Sequence, residues 1–253
     1  MKSSGFSVIF QRLTPSGEIL YKSAKDLISR FDQISLEMRK ADSGASGELV
    51  IGHIFSPFRD LLPDLTMHFQ TEYPDCKIRF IRKNMGPLFD DLSRKELDLI
   101  FTMSFGVDNE PGIDWKPLRP DGMSLVVRND HPLANAGTID FKKLSSEGFV
   151  SLAEGETSPR WAPYLARVCA ARGFVPNTII TSATVEGMLM NIKAGFGIAI
   201  VPSGIDSGMV PDLKFIEIEG EDTKFFEAVA WRKDNDNPAV PLFLSFLDRF
   251  LAG

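Results

Sequence analysis

Cysteine is nearly absent from this chain: Cys76 and Cys169, far apart in sequence, are the two thiols in 253 residues. A fold stapled by disulfides is excluded, and two free thiols packed as small apolar groups are expected. Histidine is as scarce, since His53, His68 and His131 are the full set and none stands at a metal-ligand spacing from another histidine or a cysteine. No apolar run approaches the roughly 18 residues of a membrane span. No long apolar segment with a small-residue cleavage site opens the chain, so cytoplasm is the expected compartment. Clustered positive charge is missing too; a formal net charge of −6 argues against a body that coats nucleic acid. Gly195 and Gly197 are not followed by Gly-Lys-Ser/Thr, and Gly-x-Ser-x-Gly does not occur. Glu18, Glu110, Glu154 and Glu156 are lone carboxylates without an obvious acid–base partner. No catalytic residue, metal or cofactor is therefore expected, and an enzyme is disfavoured.

What is present begins with Leu13-Thr14-Pro15-Ser16-Gly17. Thr14 is suited to cap a helix with Pro15 at its first position, where a missing N–H costs nothing. Behind it Leu20, Ala24, Leu27, Phe31, Ile34 and Met38 recur at alternating steps of four and three, the spacing of a pairing seam. A helix over 14–41 is predicted, marginal in isolation and in need of a partner helix. It ends in Ser43-Gly44-Ala45-Ser46-Gly47, read as a flexible joint. From Glu48 onward strands and helices alternate: strands at 49–54, 77–82, 97–102, 124–128, 148–153, 177–182, 197–201, 213–218 and 225–232, with helices near 57–72, 87–95, 159–172, 185–194 and 240–251. That alternation predicts parallel sheets flanked by helices, in two α/β units.

The order of motifs resembles a LysR-type transcriptional regulator. The resemblance is carried by Leu13-Thr14-Pro15, the long helix, Gly47-Glu48-Leu49-Val50-Ile51-Gly52, Leu61-Leu62-Pro63, Tyr73-Pro74, Leu97-Asp98-Leu99-Ile100, His131-Pro132-Leu133-Ala134 and Ala194-Gly195-Phe196-Gly197-Ile198-Ala199-Ile200-Val201-Pro202. It implies an α/β, bilobed, periplasmic-binding-protein-like (type II) domain preceded by a long dimerisation helix. The implied layout is a remnant of a DNA-binding wing at 1–13, a linker helix and hinge at 14–46, lobe I from 47–120 with 235–253, and lobe II at 121–234. In that family a winged helix-turn-helix precedes the Leu-Thr-Pro segment. Here only Met1 to Arg12 stand before it, so this chain alone is not expected to bind an operator selectively.

Three segments share one grammar, in which a strand ends, a Ser or Thr follows and a helix begins: Ile54 to Pro57, Ala153 to Arg160 and Thr181 to Thr184. Each aims unpaired N–H groups and the positive end of a helix dipole at a sheet edge, which favours an anion. Phe55, Ser56, Pro57, Thr102, Ser104, Ser158, Arg160, Ser182 and Thr184 are the candidate effector-binding residues, since the family's effector loops fall there. The expected partners are a small carboxylate-bearing metabolite, a second copy of the chain paired as a homodimer or homotetramer through residues 14–41, and DNA only through the missing helix-turn-helix; no membrane is expected. A solute-binding protein of the same fold is the alternative reading.

Overall fold

Thr14 opens the first helix as the sequence predicts. Its Oγ1 accepts a hydrogen bond from Gly17 N at 3.1 Å, and helix α1 runs Pro15–Asp42. None of its residues is buried: Leu20, Leu27 and Phe31 are about 70% exposed. The remainder of the computed structural model describes residues 43–54, 58–108, 110–135, 139–205 and 210–252. Among them no helix is long and apolar enough to cross a membrane.

The joint after α1 is packed, not loose. Ser43 N donates to Arg39 O, Gly44 takes φ 75° and is buried against the Pro238 backbone, and Lys40 reaches Asp75 at 2.6 Å. A Cβ on Gly44 would stand 2.3 Å from Pro238 O, so glycine is required there for both its conformation and its size.

Strands β1 (Gly47–His53), β2 (Cys76–Arg82) and β3 (Leu99–Met103) form the parallel part of the first sheet, with β1 between the other two. Leu49 and Ile51 face a core made with helix α2 (Leu61–Glu72), while Val50 faces helix α3 (Met85–Ser93). Burial on both faces is what a parallel sheet covered by helices requires. A short helix α4 (Ser104–Val107) follows β3. Next comes β4 (Ile113–Asp121), which the sequence does not reveal because Pro117 and Pro120 interrupt it. It is an edge strand with a register shift, the setting in which proline is tolerated.

The chain then passes through Gly122 into β5 (Met123–Arg128) and a second unit. Helix α5 (Phe141–Leu144), β6 (Gly148–Leu152), helix α6 (Trp161–Ala171), β7 (Asn177–Ser182), helix α7 (Val185–Lys193), β8 (Ala199–Pro202) and β9 (Leu213–Ile218) follow. β6 and β7 pair in parallel, but β5 lies antiparallel between β8 and β9, so the expected all-parallel pattern holds only in part.

Strand β10 (Phe225–Arg232) pairs antiparallel with β3 and β4 in the first sheet, whose order is β2-β1-β3-β10-β4. The return to the first unit therefore comes before residue 225, about ten residues earlier than the expected 235. Alternation identifies a strand but not the sheet it joins. Val229 enters the core shared with helix α8 (Ala239–Ala252), and Ala228 and Ala230 enter the one under α3. Two short segments, at Gly122 and at 219–224, thus connect the units.

Candidate functional site: a cleft between two units

A cavity of about 110 Å³ lies where the ends of β1 and β3 meet β6, β7 and β8. Its walls are mostly apolar: Ile54, Met85, Met103 and Phe105 from the first unit face Phe149, Leu152, Trp161, Leu165, Met188 and Ile200 from the second. Phe105 packs against Trp161 with ring centroids 5.1 Å apart and edge-on to Phe225 at 5.0 Å, so an aromatic wall crosses the boundary between units. Among the described lining residues, Ser151, Thr157 and Thr178 bear hydroxyls.

Polar groups join the units at the mouth. Asn84 stands at the capping position of α3 but makes no cap with its side chain. Its Nδ2 instead donates across the cleft to Glu156 Oε2 at 2.7 Å and to Ala183 O at 2.6 Å. Gly86 N donates to Glu156 O at 3.4 Å, and Arg82 pairs with Glu186 in the first turn of α7. A Cβ on Gly86 would stand 2.0 Å from Gly155 O, so the units approach this closely only because residue 86 is glycine. A second, outer cleft lies beyond α3. It is lined by Phe89, Glu110, Ser158 and Arg160, with Arg160 bonded to Glu110 at 2.8 Å.

The predicted site residues are distributed as follows. Phe55, Ser56 and Pro57 fall outside the described residues. Ser158 and Arg160 line the outer cleft, and Ser158 Oγ accepts from Arg160 N at 3.2 Å. Thr102, Ser104, Ser182 and Thr184 do not line the inner cleft. Ser104 Oγ accepts from Phe226 N, Ser182 Oγ from Asn191 Nδ2, and Thr184 Oγ1 from Gly187 N. Capping and tethering consume these hydroxyls, the commonest use of Ser and Thr at such positions. Thr102 Oγ1 is buried with no hydrogen-bond partner among the described residues. The sequence does not single out Arg82, Asn84 or the methionines, and Glu156 enters it only as a lone carboxylate; Asn84, just ahead of an apolar helical run, is the one legible signal.

Carboxylates also gather where the chain crosses between units. Glu227, on β10, is 2% exposed and pairs with Arg119 of β4. Burial pushes its carboxyl up to about 7, with Asp121 adding to the rise and Arg119 opposing it. Burial likewise raises Asp121, although its carboxylate accepts from Gly122 N at 2.7 Å and Gly204 N at 3.2 Å. The two cysteines are buried free thiols, with Cys169 pushed up to about 11 by burial. Among the described residues no group of three or more His, Cys, Asp or Glu could hold a metal ion.

Residues 42–252 match the family model of the LysR substrate binding domain. The transcriptional regulator CysL of Bacillus subtilis (strain 168) is 25% identical over 192 residues, covering 76% of this chain and 62% of its own length, under two thirds of that protein. BudR of Raoultella terrigena is 24% identical over 233 residues, 92% of this chain and 80% of its own. Among solved structures, the effector binding domain of QuiR in complex with shikimate superposes with a TM-score of 0.70 at 23% identity, over 82% of this chain and 98% of that one. CbnR, a LysR family transcriptional regulator, gives 0.69 at 20% identity over 93% and 81%.

Proposed function

Because the chain belongs to the LysR substrate-binding-domain family, we propose that it is the effector-sensing and pairing part of a LysR-type transcriptional regulator. Its fold is the bilobed, periplasmic-binding-protein-like type II domain of that family, with a long helix ahead of it. The observation that carries the reading is the cleft between the two units: it is apolar inside and bridged at its mouth by groups of both units, which two short connections join. A small molecule held there biases the angle between units, since it contacts both, and so shifts a two-state equilibrium. In a complete regulator the change would reach DNA through a helix-turn-helix ahead of α1.

The expected carboxylate on that molecule draws little support from two of the three helix starts. α6 begins in the outer cleft beside the Arg160–Glu110 pair, and α7 carries Glu186 in its own first turn. Ser56, two residues beyond the lining residue Ile54 in sequence, stays among the proposed contacts.

Pairing rests on α1. Its exposed stripe of Leu20, Leu27, Phe31, Ile34 and Met38 is the seam that the sequence spacing predicts, and it is uncovered in the single chain. A second copy covers it most simply. Leu27→Asp removes about 2 kcal/mol of buried apolar contact per chain, so the dimer dissociation constant measured by sedimentation rises by tenfold or more. A chain that is monomeric at tens of micromolar before any substitution would sink the reading.

A further inference from the structure

The charge inside the cleft is as informative as its shape. Among the described lining residues only Arg82 and Glu156 are charged, and both stand at the mouth, engaged with Glu186 and Asn84. The interior offers apolar walls and hydroxyls. A carboxylate carried inside would lose its hydration with Arg82, already paired with Glu186 at the mouth, as the one cation of the described wall, which is unfavourable. The cavity of about 110 Å³ is in the size range of an apolar cavity of roughly 150 Å³ that takes up benzene, so it suits one ring. The Phe105–Trp161 wall and the thioethers of Met103 and Met188 are suited to a ring's faces and edges.

We propose that the ligand of this cleft is an uncharged molecule built on a single ring, its ring held by Phe105 and Trp161 and its polar substituent by the hydroxyls of Ser151, Thr157 or Thr178. The proposal rests on the reading of the cleft as the effector site and narrows it to a chemical class. Thr178 lies on an exposed strand, so a ligand whose substituent reaches it remains within reach of water at one end.

Calorimetric titration of the 253-residue chain with p-cresol and with benzoate, a neutral and an anionic ring of similar size, tests it near neutral pH. p-Cresol is expected to bind at least about tenfold more tightly than benzoate. Trp161→Leu weakens p-cresol by about tenfold, with a melting curve checking that the variant folds. Thr178→Arg, at a position whose exposure tolerates the change, puts a cation on the cleft wall and shifts the preference toward benzoate by about tenfold relative to p-cresol. Benzoate binding as tightly as p-cresol, both being weakened by Trp161→Leu, overturns the neutral class and keeps the cleft as the site. p-Cresol binding that ignores Trp161→Leu overturns the location, and binding of neither compound overturns the proposal outright. Failure of the regulator reading shows separately, as loss of pairing through α1.

Discussion

Gly86→Ala unlatches the two units: amide exchange across 153–158 and 183–187 accelerates by about a hundredfold, while the amides of β1, β3 and β10 keep their rates. The added Cβ would meet two backbone carbonyls, Gly155 O at 2.0 Å and Thr157 O at 2.9 Å, and neither can rotate away as a side chain would. α3 and the loop after β6 must separate. Separation breaks the hydrogen bonds from Asn84 to Glu156 and Ala183 and the one from Gly86 N to Glu156 O. At about 1 kcal/mol net for each bond the closed arrangement loses about 3 kcal/mol, which is the hundredfold. Binding suffers in proportion, because apparent affinity scales with the fraction of molecules in the closed form. The cores that belong to one unit alone are untouched, so the melting temperature moves little. Exchange rates equal to those of the parent chain would mean that the contact at Gly86 is not kept in solution.

The second large effect is a fall in stability as pH rises from about 4.5 to about 7, removed in large part by Glu227→Gln. Glu227 has an ordinary value of 4.5 and is pushed up to about 7 in the fold. Between those values the folded chain holds a proton that the unfolded chain has released. Folding therefore takes up a proton, and stability declines as pH climbs through the window. A shift of that size corresponds to about 3 kcal/mol. Asp121, raised for the same reason, adds in the same direction. Glutamine keeps an oxygen for Arg119 and has no proton to lose, so urea midpoints at the two ends of the window should converge in the variant. An equally steep decline in Glu227→Gln would assign the pH dependence to other groups. Since Glu227 and Asp121 sit where the chain passes between units, the same titration acts on the connection that must bend when the cleft opens.

Most of the first unit was legible in the sequence, and the reasons are local. α1 declares itself through a cap, a proline at its first position and a sustained seam; β1 and β3 are short apolar runs between turn residues, as strands buried on both faces should be. β4 was hidden because Pro117 and Pro120 argue against a central strand, and only its place at the sheet edge makes them admissible. β10 was found but assigned to the wrong unit, because pairing across some hundred residues leaves no trace in one strand's own pattern. For the site, a Ser or Thr before a helix marks a cap with or without a ligand, so Ser158, Ser182 and Thr184 could not be separated from ordinary caps by sequence. Asn84 and Glu156 acquire a role only from facing each other across the cleft, 72 positions apart along the chain.

The packed joint at Gly44 makes α1 a lever. With Gly44 wedged against Pro238 and Lys40 bonded to Asp75, the helix is fixed to the first unit at the beginnings of β1 and α8 and cannot swivel freely on it. A helix of 28 residues is about 42 Å long at 1.5 Å per residue, so a tilt of about 10° at its base sweeps the far end through about 7 Å. A change of angle too small to disturb either core thus becomes, at Thr14, a displacement comparable to the width of a helix.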